Sequence, residues 1–270
     1  MSGKTAGLMT WESPPEMDKT LPPLETFPDR EKLTAAAAQN FIRLAAEAVE
    51  KERLFTVALA GGSTPRPLYA LLASKESART IDWPRVHLFW GDERCVPPDD
   101  PRSNYRMVRE SLLDAIQIPP AKVHRIHGEE DPEAAAAAYD RELRASLGSN
   151  GAGGPPRRGF DLVLLGMGDN GHTASLFPGL PAVTEKVRWV MAQFIAAVSA
   201  WRITLTPMVI NAARNVIFVV SGPEKAERLR DVLEGPLQPE RLPAQIIQPA
   251  HGRLLWLVDE AAASRLNRTR

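Results

Sequence analysis

Residues 54–60 are Leu-Phe-Thr-Val-Ala-Leu-Ala, and they pass directly into Gly-Gly-Ser-Thr-Pro at positions 61–65. The first segment is a short apolar run typical of a strand that is buried on both faces. The second combines a glycine-rich turn with a Thr-Pro pair, and proline suits the first position of a helix. A strand, a tight turn and a helix in this order predict the start of an α/β unit.

Four further apolar runs of the same kind follow along the chain. They are residues 86–90, 160–165, 215–220 and 254–258. Apolar residues with helical spacing lie between several of the runs, as in the series Ala37, Phe41, Leu44 and Ala48. Because strands alternate with helices, we predict an α/β fold with a mainly parallel sheet.

The length of 270 residues fits one large α/β domain or two small ones. Residues 148–159, rich in glycine and proline, could be a linker between two domains. Strands and helices continue to alternate on both sides of this segment, so we interpret it as a surface loop of a single domain.

The composition limits the function classes. The 33 basic residues balance the 33 acidic ones, so no net charge attracts nucleic acid or an anionic membrane. The single cysteine, Cys95, fits a reducing compartment. Residues 1–20 lack the apolar core of a secretory signal, and no apolar run reaches the roughly 20 residues of a membrane span. We expect a cytoplasmic protein without nucleic-acid or membrane partners.

Polar and glycine-rich segments come directly after four of the predicted strands. They are residues 60–64, 91–94, 166–172 and 221–225. In an open parallel sheet, the carboxyl ends of the strands form the crevice in which ligands bind. We therefore predict that one site collects all four segments.

Three Thr-Pro or Gly-Pro pairs predict helix starts near this edge, at residues 64–65, 206–207 and 222–223. Helix starts present free N–H groups to an anion, and Gly61 and Gly62 would let the backbone approach it closely. Together with Arg202 and Lys225, these features predict a phosphate pocket. The turn matches neither Gly-x-Gly-x-x-Gly nor the phosphate loop that ends in Gly-Lys-Ser/Thr, which disfavours dinucleotides and nucleoside triphosphates.

Residues 166–173, Gly-Met-Gly-Asp-Asn-Gly-His-Thr, place His172 in a tight turn after a buried strand. Histidine exchanges protons near neutral pH, so His172 is the candidate acid–base residue. The other four histidines, His87, His124, His127 and His251, lack this setting, and we interpret them as structural. The His124 and His127 pair lies between turn-forming residues, so we expect no metal site there.

Taken together, these motifs resemble those of the 6-phosphogluconolactonase family in order and spacing. They are Gly-Gly-Ser-Thr-Pro at 61–65, Trp-Gly-Asp-Glu-Arg at 90–94, Ser-Asn-Tyr at 103–105, Gly-Met-Gly at 166–168, Gly-His-Thr-Ala-Ser-Leu-Phe-Pro at 171–178, and Ser-Gly at 221–222 with Lys225. The resemblance covers residues 27–263 and leaves 1–26 and 264–270 as tails. It implies a Rossmann-like three-layer α/β sandwich, shared with glucosamine-6-phosphate deaminase.

The resemblance also implies roles for individual residues. Phosphate ligands would be Ser63, Thr64, Arg202 and Lys225, beside the backbone of Gly61 and Gly62, while Asp92, Arg94 and Asn104 would surround the sugar ring. His172 matches the catalytic histidine of the family. Two residues before it the family usually has aspartate, whereas this chain has Asn170, with Asp169 adjacent. Either residue could orient the imidazole.

The implied reaction is hydrolysis of a small-molecule lactone, 6-phosphogluconolactone, with His172 as general base and with no cofactor or metal. Arg94 or backbone N–H groups could stabilise the oxyanion. A deaminase acting on glucosamine 6-phosphate is the alternative enzyme, although residues 173–178 favour the lactonase. A non-catalytic sugar-phosphate sensor is a third hypothesis, and the proline-rich first 30 residues disfavour its DNA-binding segment. A monomer and a dimer are both compatible with the sequence.

Overall fold

The computed structural model describes residues 22–51, 53–149, 151 and 153–267. The expectation of no secretory signal concerns residues 1–20, which lie outside these ranges. Within the described ranges, no helix is both long and apolar enough to cross a membrane.

The described part of the chain contains strands and helices in the order predicted for an α/β protein. The strands are β1 (Leu24–Phe27), β2 (Phe55–Leu59), β3 (Val86–Trp90), β4 (Asp92–Arg94), β5 (Val123–His124), β6 (Leu162–Leu165), β7 (Val190–Ile195), β8 (Ala200–Leu205), β9 (Asn215–Val220) and β10 (Arg253–Asp259). The helices are α1 (Arg30–Glu50), α2 (Arg66–Leu72), α3 (Lys75–Ala78), α4 (Asn104–Ser111), α5 (Pro132–Leu147), α6 (Pro207–Ile210), α7 (Ala226–Leu233) and α8 (Glu260–Ala263).

The main sheet has seven parallel strands in the order β1-β10-β9-β6-β2-β3-β5. All five predicted apolar runs form strands of this sheet. Strands β6 and β9 are buried along nearly their whole length, because helices cover both faces of the sheet. The buried residues form one hydrophobic core cluster. The predicted single-domain α/β fold is therefore confirmed.

The order of the strands places a topological switch point between β2 and β6. From β2 the chain proceeds to β3 and β5 on one side, whereas β6 leads to β9 and β10 on the other. Ligands of open α/β sheets bind at such a point, beyond the carboxyl ends of the strands. The glycine-rich segments that follow β2 and β6 lie at this position.

Two parts of the sheet structure differ from the sequence prediction. A second, antiparallel sheet contains β4, β8 and β7, in that order. In addition, β1 pairs with β10, so the sheet begins inside the segment 1–26 that was assigned to the N-terminal tail. That boundary was wrong because β1 has four residues, too few to show a pattern.

The described residues of the loop segment 148–159 are hydrogen-bonded to one another and to the rest of the domain. The backbone N–H of Arg157 donates to the Gly148 carbonyl at 2.8 Å, and Trp189 Nε1 donates to the Gly154 carbonyl at 2.8 Å. These contacts agree with a surface loop rather than a linker.

The three predicted helix starts are only partly present. Helix α2 begins at Arg66, after a turn that contains Thr64, and no side chain caps it. Thr206 does precede α6, but its hydroxyl donates to the Arg188 carbonyl at 2.8 Å instead of capping the helix. Gly222 precedes a short 3₁₀ turn, and α7 starts at Ala226. Only the start at residues 206–207 therefore coincides with the first residue of an α-helix.

Candidate active site

A cavity of about 340 Å³ lies at the carboxyl edge of the main sheet, at the switch point. Each of the four predicted segments contributes to its lining: residues 60–64, Gly91 with Asp92 and Arg94, residues 166–169 with His172, and Ser221 with Lys225. The topology brings these segments together because each follows a parallel strand of the same sheet.

The imidazole of His172 is held by the side chain of Asn170. The Asn170 Oδ1 atom lies 2.6 Å from His172 Nδ1 and also accepts the backbone N–H of His172 at 3.1 Å. A backbone N–H can only donate, so the amide atom facing it is the oxygen. Nδ1 must then carry the proton, which leaves Nε2 of the neutral ring as the basic nitrogen.

The surroundings of His172 favour its neutral form. Its ring stacks on Phe177 with centroids 4.1 Å apart and an interplanar angle of 14°. Burial lowers the pKa of His172 to about 4, with Asp92 acting in the opposite direction and Lys225 in the same one. Gly168 lies under the ring, where an added Cβ would come within 2.0 Å of it. The neutral base therefore predominates at neutral pH.

Asp169 does not contact the imidazole. Its carboxylate forms an ion pair with Lys225 Nζ across the cavity, and its carbonyl accepts a hydrogen bond from Arg228 Nε at 3.1 Å. Of the two residues that could orient His172, the structure selects Asn170. The alternative in which Asp169 orients the imidazole does not match this geometry, because the Asp169 side chain turns towards Lys225.

Asp92 lines the cavity, whereas Asn104 is buried behind it and does not reach the lining, and the two form a polar network. Asn104 Nδ2 donates to Asp92 Oδ1 at 3.1 Å and to the Asp92 carbonyl at 2.9 Å, and Ser175 Oγ donates to Asp92 Oδ2 at 2.6 Å. Gly61 lies against Asn104, where an added Cβ would come within 1.9 Å of its side chain. Asn104 Oδ1 is buried without a hydrogen-bond partner among the described residues. The network fixes the position of the Asp92 carboxylate.

Glu93 is a buried organiser of the site that the sequence analysis missed. Its carboxylate accepts the backbone N–H groups of Arg94, Asn104 and Tyr105, each at 2.7 Å, and the hydroxyl of Ser103 at 3.1 Å. Burial raises the pKa of Glu93, and the hydrogen bonds from the backbone act against this. The sequence feature that could have identified Glu93 is its position between Asp92 and Arg94, just after a buried strand.

Arg202 and Arg94 extend from the small sheet to the cavity. They face each other as a cross-strand pair of β8 and β4. Arg202 Nε and Nη1 are buried, and no described residue accepts a hydrogen bond from them. Burial lowers the pKa of Arg202, and the neighbouring Arg94 adds to this effect. Buried guanidinium donors without acceptors favour an anionic ligand, because each unpaired donor costs free energy.

The turn at residues 61–64 closes the cavity beside these cations. Gly62 has a φ of +101°, a backbone conformation that side chains disfavour. The Ser63 carbonyl accepts a hydrogen bond of 2.5 Å from Arg30 Nη2, which fixes the turn from outside. Ser63 and Thr64 line the cavity as predicted.

His124 and His127 lie apart from the cavity. His124 contacts His87 and Glu142, with distances of 2.9 Å between the two imidazole nitrogens and 2.6 Å to the carboxylate. In the part of the chain that the structure describes, no group of three or more His, Cys, Asp or Glu side chains is arranged to hold a metal ion.

The fold and the cavity define an α/β protein with a neutral histidine and unpaired cations at its switch point. The chain belongs to the family of glucosamine-6-phosphate isomerases/6-phosphogluconolactonase, whose model matches residues 28–256. It is 43% identical to the 6-phosphogluconolactonase of a Synechocystis species over 78% of this chain and 84% of that protein.

Two further comparisons agree over more of the chain. A 6-phosphogluconolactonase from a Nostoc species is 39% identical over 93% of this chain and 100% of the relative. The solved structure of 6-phosphogluconolactonase from Trypanosoma brucei superposes with a TM-score of 0.80 and is 32% identical, covering 91% of this chain and 99% of that one. The recognised family and the predicted fold are thus confirmed.

Proposed function

We propose that this protein hydrolyses 6-phospho-D-glucono-1,5-lactone to 6-phospho-D-gluconate, with His172 as the general base. The observation that carries the proposal is the geometry of His172 and Asn170. It leaves His172 Nε2 unprotonated in a ring that lines the cavity. The two relatives that are named for this activity match 78% and 93% of the chain, which supports the choice of substrate.

The chemistry requires one proton acceptor that later becomes a donor. Nε2 of His172 takes a proton from water as the water oxygen attacks C1 of the lactone, which places a negative charge on the carbonyl oxygen. When the tetrahedral intermediate collapses, the bond between C1 and the ring oxygen breaks, and the imidazolium returns the proton to that oxygen. Arg94 or backbone N–H groups of the glycine-rich turn stabilise the oxyanion.

The phosphate of the substrate is held by the cationic part of the cavity. Arg202 contributes the unpaired donors Nε and Nη1, and Lys225 contributes an ammonium group. Ser63 and Thr64 add hydroxyl groups, next to the backbone of Gly61 and Gly62.

The sugar ring lies against Asp92 and Arg94, and the buried Asn104 positions the Asp92 carboxylate from behind. The Asp92 carboxylate is held in place by two side chains, which suits it to accept hydrogen bonds from sugar hydroxyls. Binding of the remote phosphate and of these hydroxyls orients C1 towards the water beside His172. The reaction belongs to the oxidative pentose phosphate pathway, and the cytoplasm is the compartment we propose for it.

The test is the opening rate of freshly generated 6-phosphogluconolactone, compared with its spontaneous background in the same buffer. We expect a rate well above the background that scales with protein concentration. Ammonia release from glucosamine 6-phosphate, measured in parallel, should be absent. Opening at the background rate would refute the proposal, and ammonia release would favour the deaminase.

A further inference from the structure

Asp169 forms an ion pair with Lys225, the cation that the proposed function assigns to the substrate phosphate. The Lys225 side chain is 18% exposed, whereas the Asp169 side chain is 76% exposed. The two residues are 56 positions apart in the sequence and come from different segments of the cavity. Arg228 Nε also binds the Asp169 carbonyl, so the backbone of Asp169 stays in place when its side chain moves.

Charges on the cavity lining are balanced in this arrangement. Among the described residues, three cations line the cavity, Arg94, Arg202 and Lys225, and so do three carboxylates, Asp92, Asp169 and Glu224. The formal charges of these side chains sum to zero. Asp92 is fixed by hydrogen bonds from Asn104 and Ser175. Asp169 is the carboxylate that pairs with a lining cation through an exposed side chain.

A phosphate oxygen bound to Lys225 would repel the Asp169 carboxylate, because both groups are negatively charged. An ammonium group has three donors and could touch both anions, but the two negative groups would then lie within a few ångströms of one another. The Asp169 carboxylate is largely in solvent and the pair therefore holds it only weakly, so the ligand can displace it from Lys225. Binding of the phosphate therefore moves the Asp169 side chain into solvent.

We propose that Asp169 is a specificity-determining residue that competes with the substrate phosphate for Lys225. It weakens the binding of every ligand that needs Lys225, including the phosphorylated product, and leaves ligands without phosphate unaffected. The identity of the substrate rests on the proposed function, whereas the competition rests on the ion pair alone. One consequence is faster release of 6-phosphogluconate than a fully cationic pocket would allow.

Calorimetric titration of the full-length protein with inorganic phosphate, 6-phosphogluconate and gluconate tests this competition. Asp169→Asn should bind inorganic phosphate and 6-phosphogluconate on the order of three- to tenfold more tightly, with gluconate unchanged. Glu227→Gln is the matched control, because Glu227 is an exposed carboxylate near Lys225 and forms no ion pair among the described residues. It should change the affinities by less than about twofold.

A double-mutant cycle separates competition at Lys225 from a general charge effect. In a Lys225→Gln background, Asp169→Asn should give little further gain. An equal gain in that background, or a gain no larger than that of Glu227→Gln, would overturn the proposal. Binding of neither phosphate compound to any variant would also overturn it.

These titrations do not depend on turnover. If the lactone opens at the background rate while Asp169→Asn still tightens phosphate binding, the proposed function fails and the competition stands. If the lactone is hydrolysed and the affinities do not change, the competition fails alone.

Discussion

His172 Nδ1 donates a hydrogen bond to the amide oxygen of Asn170. An amide at this position fixes the tautomer of the imidazole without adding a charge. The proton on Nδ1 is held by Asn170, so the basic nitrogen is Nε2. The nearest acidic side chain in sequence, Asp169, is paired with Lys225. The charge on His172 therefore depends mainly on burial, which disfavours the imidazolium.

His172→Ala should reduce lactone hydrolysis on the order of 10²-fold or more, because it removes the general base. Binding of 6-phosphogluconate should persist, since the phosphate ligands lie on other segments of the cavity. The initial rate of lactone hydrolysis and the calorimetric affinity for 6-phosphogluconate are measured for both proteins. A variant that binds this product and keeps the wild-type rate would contradict the role of His172.

Asn170→Asp should move the acidic limb of the kcat/KM profile to higher pH. Hydrolysis requires the neutral imidazole, so activity falls as the pH drops through the pKa of His172, which is about 4. A carboxylate beside Nδ1 favours the imidazolium and raises that pKa. The profile is measured from about pH 3 to 8, so that it spans the pKa of His172, with the spontaneous rate subtracted.

Asp169→Asn tests the effect of the neighbouring charge on the same pH profile. The Asp169 charge raises the pKa of His172, so its removal should move the limb slightly downwards. If Asn170→Asp leaves the limb in place, the charge argument at position 170 is wrong.

Among the elements, helix α4 depends on a carboxylate that precedes it in the chain. Glu93 accepts the first backbone N–H groups of α4, from Asn104 and Tyr105, and anchors Asn104 beside Asp92. It thereby links the stability of a helix terminus to the geometry of the candidate site.

Glu93→Gln should destabilise the protein by about 1 to 3 kcal/mol, because one oxygen becomes an NH₂ group that faces a backbone N–H. Urea unfolding at neutral pH measures the difference in the free energy of unfolding between the wild-type protein and the variant. Glu110→Gln is the control, since Glu110 pairs with Arg106 at the surface, and it should cost less than about 1 kcal/mol. Equal losses in the two variants would argue against the special role of Glu93.

The elements that the sequence predicted are those with a local signal. Each of the five core strands is a continuous apolar run, and its position in the sheet follows from alternation with helices. Strands β7 and β8 carry Gln193 and Arg202 and become recognisable only through their pairing with each other. Strand β5 has two residues and no pattern at all.

The same distinction holds for the candidate site. The segments after the strands were predictable, because the topology places parallel strand ends at one edge. The contacts between their side chains were not, since the pairing of Asp169 with Lys225 depends on rotamers and on residues 56 positions apart. Glu93 was missed because its partners lie across a loop, at the start of α4.

For the whole molecule, two histidines far apart in the fold link stability to pH in the same direction. Burial lowers the pKa of His172 to about 4, and burial, Lys122 and His124 lower that of His87 to about 4 as well. Lys122 Nζ lies 2.9 Å from His87 Nε2, and His124 Nε2 lies 2.9 Å from His87 Nδ1. Both imidazoles are therefore neutral in the folded protein at pH values where they are protonated in the unfolded chain.

At these two histidines, the unfolded chain binds more protons than the folded protein between about pH 6.5 and pH 4. Stability should therefore be full above pH 6.5 and fall as the pH drops through this window, by roughly 2 kcal/mol in total after solvent screening. Urea midpoints measured at pH 7, 5.5 and 4.5 give the slope of stability against pH. His87→Gln combined with His172→Gln should flatten it, whereas His251→Gln, at an exposed loop position, should not. A double variant that keeps the wild-type slope would show that carboxylates, and not these histidines, cause the acid sensitivity.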